Sequence, residues 1–336
     1  MKRIFAAAGK ALLLLSLLSC VPAQHAVPGR NYPEGPYPTR IVWTGVAGSP
    51  EALGIESGFW GRLWRRMAGG EPQSIGRPYG IHADCRQRIL VADSQKRGVH
   101  LFDREQKRYS FIGGEGEGTF TLPIGVTEDR DNTAYVTDAA TGNVFRFNLG
   151  ELRPVLFAQG LKRPTGIVYN PVNDLIYVTD TLAGEVIAFN RQAKEMFRFG
   201  GQGEGRGEFN LPTDLAVDAE GKLYVTDPLN ARIQIFARDG KFIRGFGEAG
   251  DTPGYFGKAK GIAVNSEGHI YVCDAMYDRV QVFDQQGRLL ISFGSTGSGK
   301  GEFWMPSGIA IDKDDNILVA DTFNNRIHLL SYVWLD

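Results

Sequence analysis

The chain of 336 residues is poor in cysteine and in histidine, with three of the one and five of the other. Cys20, Cys85 and Cys273 stand far apart, without the spacing of a stapled scaffold or of a zinc site, so neither organises the fold. Long apolar runs are missing as well. The one near the N-terminus, Ala11 to Leu18, is too short to cross a bilayer. An excess of one charge is also lacking. With 37 basic and 38 acidic residues the net is −1, and no basic cluster marks a nucleic-acid surface, so no nucleic acid is expected as a partner.

What is abundant is glycine, 43 residues, together with a repeat. A strand-like apolar run ending in aspartate recurs six times, at Asp93, Asp138, Asp180, Asp227, Asp274 and Asp321, with spacings of 45, 42, 47, 47 and 47 residues. That period is the length of one four-stranded propeller blade and is too rich in strand patterns for a helical solenoid. Residues 212–247 show the unit's four strands, Leu215 to Val217, Leu223 to Thr226, Arg232 to Phe236 and Phe242 to Phe246, between turn residues. The last unit stops after three strands. Arg40 to Thr44 supplies the fourth, closing the ring with strands from both parts of the chain and removing open edges. The fold class is therefore all-β, a six-bladed propeller over residues 40–336.

Before the repeats, Lys2, Arg3 and Lys10 form a positive stretch ahead of the short apolar run, and the whole reads as an export signal over residues 1–19. Leu17-Leu18-Ser19-Cys20 resembles a bacterial lipobox. The resemblance implies cleavage before Cys20, a lipid on its thiol and attachment to the cell envelope, and Val21 in place of aspartate implies the periplasmic side of an outer membrane. Loss of residues 1–19 removes three basic and no acidic residues and leaves −4. Residues 20–39, with Pro22, Pro28, Pro33, Pro36 and Pro38, read as an extended tether.

Gly-Glu-Phe at 207–209 and 301–303, Pro-x-Gly-Ile at 306–309 and Asp-x-x-Asn-x-Arg-Ile at 227–233 stand in the order of an NHL repeat, and the chain resembles the NHL-repeat propellers. The resemblance implies fold more than function, because relatives include RNA-binding ligase subunits, extracellular sensor domains of kinases, an amidating lyase and other lyases. The units are not uniform. Ala259 replaces the proline, Asp214 replaces the glycine, and the Asn/Arg pair is absent after Asp138 and Asp180.

An arginine follows three of the aspartates by five residues, in Asp227/Arg232, Asp274/Arg279 and Asp321/Arg326, and a structural ion pair with turn hydrogen bonds accounts for this. Gly294 to Lys300 matches the opening of a phosphate-binding loop, but Gly301 stands where a hydroxyl would ligate magnesium and a strand follows, so an inter-blade connection is expected. The acidic turns 129–132 and 312–316 lack the glycine and glutamate of a calcium loop and read as hairpins. Of the histidines only His82, on an innermost strand, is placed to reach a central channel. One histidine makes no metal centre, so no metal or other cofactor and no catalytic residue is expected.

Leu182, Leu229, Met276 and Phe323 each stand two residues after an aspartate, which puts an apolar side chain on one rim of four consecutive blades. They either form a surface for a protein or peptide or pack on neighbouring blades. Around the channel mouth on the same face, Arg77, Arg163 and Lys258 precede the proline positions, while Tyr79, Thr165, Thr213, Asp214, Lys260 and Ser307 follow them. Such a mouth suits an anionic peptide or glycan. Residues 49–67 leave the repeat: Ser49-Pro50-Glu51 reads as a helix start, with Phe59, Trp60, Leu63, Trp64 and Met67 on one stripe beside Arg62, Arg65 and Arg66. The expectation is a binding or scaffolding protein of the cell envelope. The alternative is a lyase or hydrolase with a metal-dependent site in the channel.

Overall fold

The computed structural model describes residues 31–32, 41–55, 74–113 and 120–333. Cys20 and the stripe from Phe59 to Met67 lie outside the described residues. Six antiparallel sheets are present, five of four strands and one of five. Their innermost strands are Pro78–Ala83, Pro123–Glu128, Pro164–Asn170, Leu215–Val217, Ala259–Val264 and Pro306–Ile311, numbered here as blades 1 to 6.

The sequence of each strand follows its distance from the axis. Second strands such as Ile270–Asp274 are buried throughout, since blades cover both their faces, and they read as unbroken apolar runs. The outer strand Glu195–Gly200 alternates between exposed and half-buried positions, as a strand with one wet face does. The core is accordingly a layer between each pair of blades. Between blades 5 and 6, for example, Tyr271, Cys273 and Val282 pack with Ile309, Ile317 and Val319.

At the third position of the inner strand five blades carry glycine. A Cβ on Gly80, Gly125, Gly261 or Gly308 would lie 2.1–2.4 Å from a backbone oxygen of the neighbouring inner strand, and on Gly166 it would lie 2.6 Å from the Cα of Asp214. Glycine is what lets the strands converge on the axis. Blade 4 has Asp214 there, and its inner strand is correspondingly short.

Ile41–Ala47 pairs with Arg326–Tyr332 and closes blade 6, beginning one residue later and ending three residues later than the expected segment. Asn31–Tyr32, within the expected tether, adds a fifth strand against Ile41 and Val42. The expected helix at 49–67 is corrected in its described part. Pro50–Leu53 forms a single 3-10 turn that Gly54 ends at φ 75°, a conformation natural to glycine.

Candidate functional site

In five blades the start of the inner strand pairs with the recurring aspartate at the end of the second, as Pro78 does with Asp93 and Pro306 with Asp321, while in blade 4 the strand starts later, with Leu215 opposite Val225. One face of the ring therefore collects the turns between second and third strands and the connections between blades. The six aspartates hold that face together. Asp93 accepts from the amides of Gly76 and Arg77, Asp138 from Thr121 and Leu122, Asp180 from Lys162 and Arg163, and Asp274 from Gly257 and Lys258. Each thus staples the incoming connection to its own blade, seventeen residues on. Burial raises the carboxyl of Asp93, but bonds from His100 and from the amides of Lys96, Arg77 and Gly76 outweigh it and hold the group at about 2.

Arg232, Arg279 and Arg326 extend the staple. Arg326 donates from Nε to Asp321 (2.8 Å) and from its other nitrogens to the carbonyls of Ser298, Gly299 and Glu302; Arg232 repeats the arrangement, and Arg279 keeps the carbonyl bonds but reaches Asp274 through a terminal nitrogen at 3.3 Å. The glycine run at 294–300 is thereby an inter-blade connection. The Glu302 carboxylate accepts from the Gly299 amide at 2.7 Å, so the loop's donor is satisfied internally. The turns at Asp129 and Asp312 are hairpins whose carboxylates accept amides two and four residues on.

On this face Leu182, Leu229, Met276 and Phe323 are 44, 58, 58 and 42% exposed, so each leaves much of its apolar surface open to solvent. Trp304, 53% exposed, lies 5.6 Å from Phe323 ring to ring, and the Arg77 guanidinium sits 5.0 Å from the centroid of the Phe323 ring. Trp304 was not singled out in the sequence. Its signal was a large aromatic in a connection whose counterparts are Gly76, Asn210 and Gly257.

The mouth is only partly as expected. Arg77 and Arg163 are exposed and Lys258 is half-buried. Lys260 reaches past blade 6 to donate to the Tyr79 hydroxyl at 3.0 Å, with its ammonium 4.8 Å from that ring. Thr165 and Ser307 are corrected. Both are buried and bond to the next blade, Thr165 to the Thr213 carbonyl and Ser307 to the Tyr79 carbonyl, and within their own blade to the hydroxyls of Thr181 and Thr322. Thr213 pairs its hydroxyl with that of Thr226.

Behind the mouth lies a cavity of about 160 Å³ bounded by all six inner strands from their third to sixth positions. Most of its wall is glycine, alanine, valine and isoleucine; Thr127, His82 and Asp214 are its polar members. Desolvation presses His82 down to about 4, with smaller opposing effects of Asp84 and Arg88, so the ring is neutral. Desolvation pushes the Asp214 carboxyl up to about 7 against amide bonds from Leu215 and Ile262. His100 and His328 are buried in third strands, each bonded to its blade's aspartate, and His269 pairs with Glu267. Among the described residues no three His, Cys, Asp or Glu side chains converge as a metal site. At the far end of the inner strand of blade 2, Glu128 pairs with Arg88, and burial raises its carboxyl to about 7.

A ring of six antiparallel blades, closed by a strand from before the first repeat and enclosing a narrow channel, is a six-bladed β-propeller. Residues 218–280 and 265–333 match a family model described as a 6-bladed beta-propeller, and residues 118–247 match one described as an SMP-30/Gluconolactonase/LRE-like region. Peptidyl-glycine alpha-amidating monooxygenase A of Xenopus laevis is 28% identical over 117 residues, which are 30% of this chain and 12% of that protein. The match thus spans about an eighth of its length. Among solved structures, an auxiliary nutrient binding protein from Bacteroides thetaiotaomicron is similar at TM-score 0.61 and 14% identity, over 77% of this chain and 70% of that one. A gluconolactonase from Xanthomonas campestris gives 0.58 at 16%, over 77% and 87%, and a virginiamycin B lyase from Staphylococcus aureus 0.57 at 13%, over 76% and 95%. At these identities the likeness is one of fold.

Proposed function

We propose that the chain is a binding propeller of the cell envelope, anchored through a lipid on Cys20, which docks a protein or peptide on the face of the inter-blade connections. The observation that carries this is the row of exposed apolar side chains at equivalent positions of blades 3 to 6, ending in the stack of Trp304, Phe323 and Arg77. Aromatic and arginine side chains presented together on a rigid frame are the usual anchors of protein interfaces. Arg163 and Lys258 at the mouth favour an acidic segment, peptide or glycan, in the partner. The test is crosslinking and pull-down from intact envelopes with wild type and a Leu229→Glu, Met276→Glu, Phe323→Glu variant of verified fold. Partners captured by wild type should be lost. Retention of the same set by the folded variant would overturn the rim, and a Cys20→Ala chain that still fractionates with membranes would overturn the anchor.

A second reading, a lyase or hydrolase acting in the channel, is favoured by the match of residues 118–247 and by the cavity that holds His82 and Asp214. A stoichiometric divalent metal in the purified protein would decide for it.

A further inference from the structure

We propose that the central channel is a second binding site, for a small organic cation: a primary ammonium group on a compact apolar body, with Asp214 as its counter-ion. The observation behind this is a departure from the blade pattern. In the other five blades the third inner position is glycine, and the wall there is backbone. In blade 4 a carboxyl stands at that level instead, close enough that a Cβ on Gly166 would meet its Oδ1 at 2.8 Å. Structure does not require the group. Its backbone amide already bonds the Thr226 hydroxyl, as the glycine amides at 125 and 166 bond Thr137 and Thr179, and that device works without a side chain.

The carboxyl is also poorly compensated. It accepts only the amides of Leu215 and Ile262, the latter at 3.3 Å to Oδ2, and it forms no ion pair among the described residues. Lys260, at the second position of the next blade, is tied to Tyr79 instead. A carboxylate without a counter-charge in an apolar cavity is costly, and a charge brought in by a ligand removes that cost.

The rest of the cavity defines the remainder of the ligand. His82, in the blade opposite, is neutral and offers a hydrogen bond without competing as a cation. Ile167, Val168, Ala216, Ala263 and Ile309 make the wall aliphatic, and about 160 Å³ leaves room for a body of a few carbon atoms. The Lys260–Tyr79 bond bridges blades 5 and 1 past blade 6 on the face of the rim, whereas the cavity lining continues to Ala83, Val264 and Ile311 at the other ends of the inner strands. The face away from the rim thus offers the ligand an entry that does not cross the apolar row, and the two sites can be filled independently.

The test uses the folded protein labelled in its alanine methyls, titrated at pH 8 with n-propylammonium and, in parallel, with 1-propanol. Propylammonium should shift the Ala216, Ala263 and Ala310 methyl signals saturably. In Asp214→Asn, which keeps the shape and removes the charge, its Kd should rise at least about tenfold, the worth of one charge-assisted bond, and 1-propanol should bind both proteins as weakly as propylammonium binds the variant. Absence of saturable shifts in wild type, an unchanged Kd in Asp214→Asn, or equal binding of the alcohol and the ammonium would each overturn the site. Should Asp214→Asn fail to fold, a Kd for propylammonium on wild type that weakens at least about tenfold from pH 8 to pH 5, against a constant one for the alcohol, supports it. A Kd that does not change over that range overturns it.

Discussion

At the residue scale, two kinds of buried carboxyl coexist in one ring. Asp93 and Asp321 gather enough donors to hold their carboxyls below the usual carboxylate range in spite of burial, Asp93 at about 2. Asp214 has the opposite balance and titrates near 7 against 3.8 for a free side chain. Because its folded pKa is raised, the unfolded chain ionises first, so Asp214 costs nothing at low pH and destabilises progressively as pH rises from about 4 to about 7. Asp214→Asn should raise the urea midpoint at pH 8 by an amount on the order of 2 kcal/mol, fading towards pH 4. Equal gains at both pH values would contradict the desolvated carboxyl. His82 works in the other direction. Its folded pKa is lowered, so the stability it contributes is complete above about 6.5 and is lost as pH falls towards 4.

At the scale of the strand, the inner positions are under the tightest steric limit. Gly308→Ala would set a methyl 2.1 Å from the Tyr79 carbonyl oxygen, backbone against backbone, whereas Gly45→Ala in the closing strand meets nothing within 4 Å. The first should cost about 1–3 kcal/mol or more by urea unfolding and the second almost nothing; indistinguishable midpoints would refute the close approach. The strands themselves were legible in the sequence because burial on both sides writes long apolar runs and the aspartate marks each end. The stapling partners were less so. Asp93 with Gly76, seventeen residues earlier, is a pairing that only the ring geometry creates. Thr165 and Ser307 were placed on the correct strands, yet whether a hydroxyl turns to the channel or to the next blade depends on the approach of that blade. Trp304 showed in the sequence only as a large aromatic among small counterparts, because nothing in one sequence separates an exposed aromatic from a packed one.

At the scale of the molecule, closure rests on Ile41–Ala47. Ile41 and Ala47 are fully buried, and the Trp43 indole donates to His328 Nδ1, which leaves the Nε2 proton to bond Asp321. A chain beginning at residue 48 loses these contacts, worth on the order of 5–10 kcal/mol and so comparable to the whole stability of a domain. It should unfold without a sharp transition and scatter light, while a chain beginning at residue 41 should melt cooperatively; sharp melting of both would show that blade 6 stands with three strands.

The same closure sets a timetable. Trp43 and His328, which meet in the finished blade, are 285 residues apart, so the strand made early must wait for one of the last to be made. Until residue 332 is synthesised the product is an arc with two unsatisfied tips, and the decision between folding and clumping falls in the interval after the fifth blade is complete. Chaperone dependence should therefore concentrate in that interval.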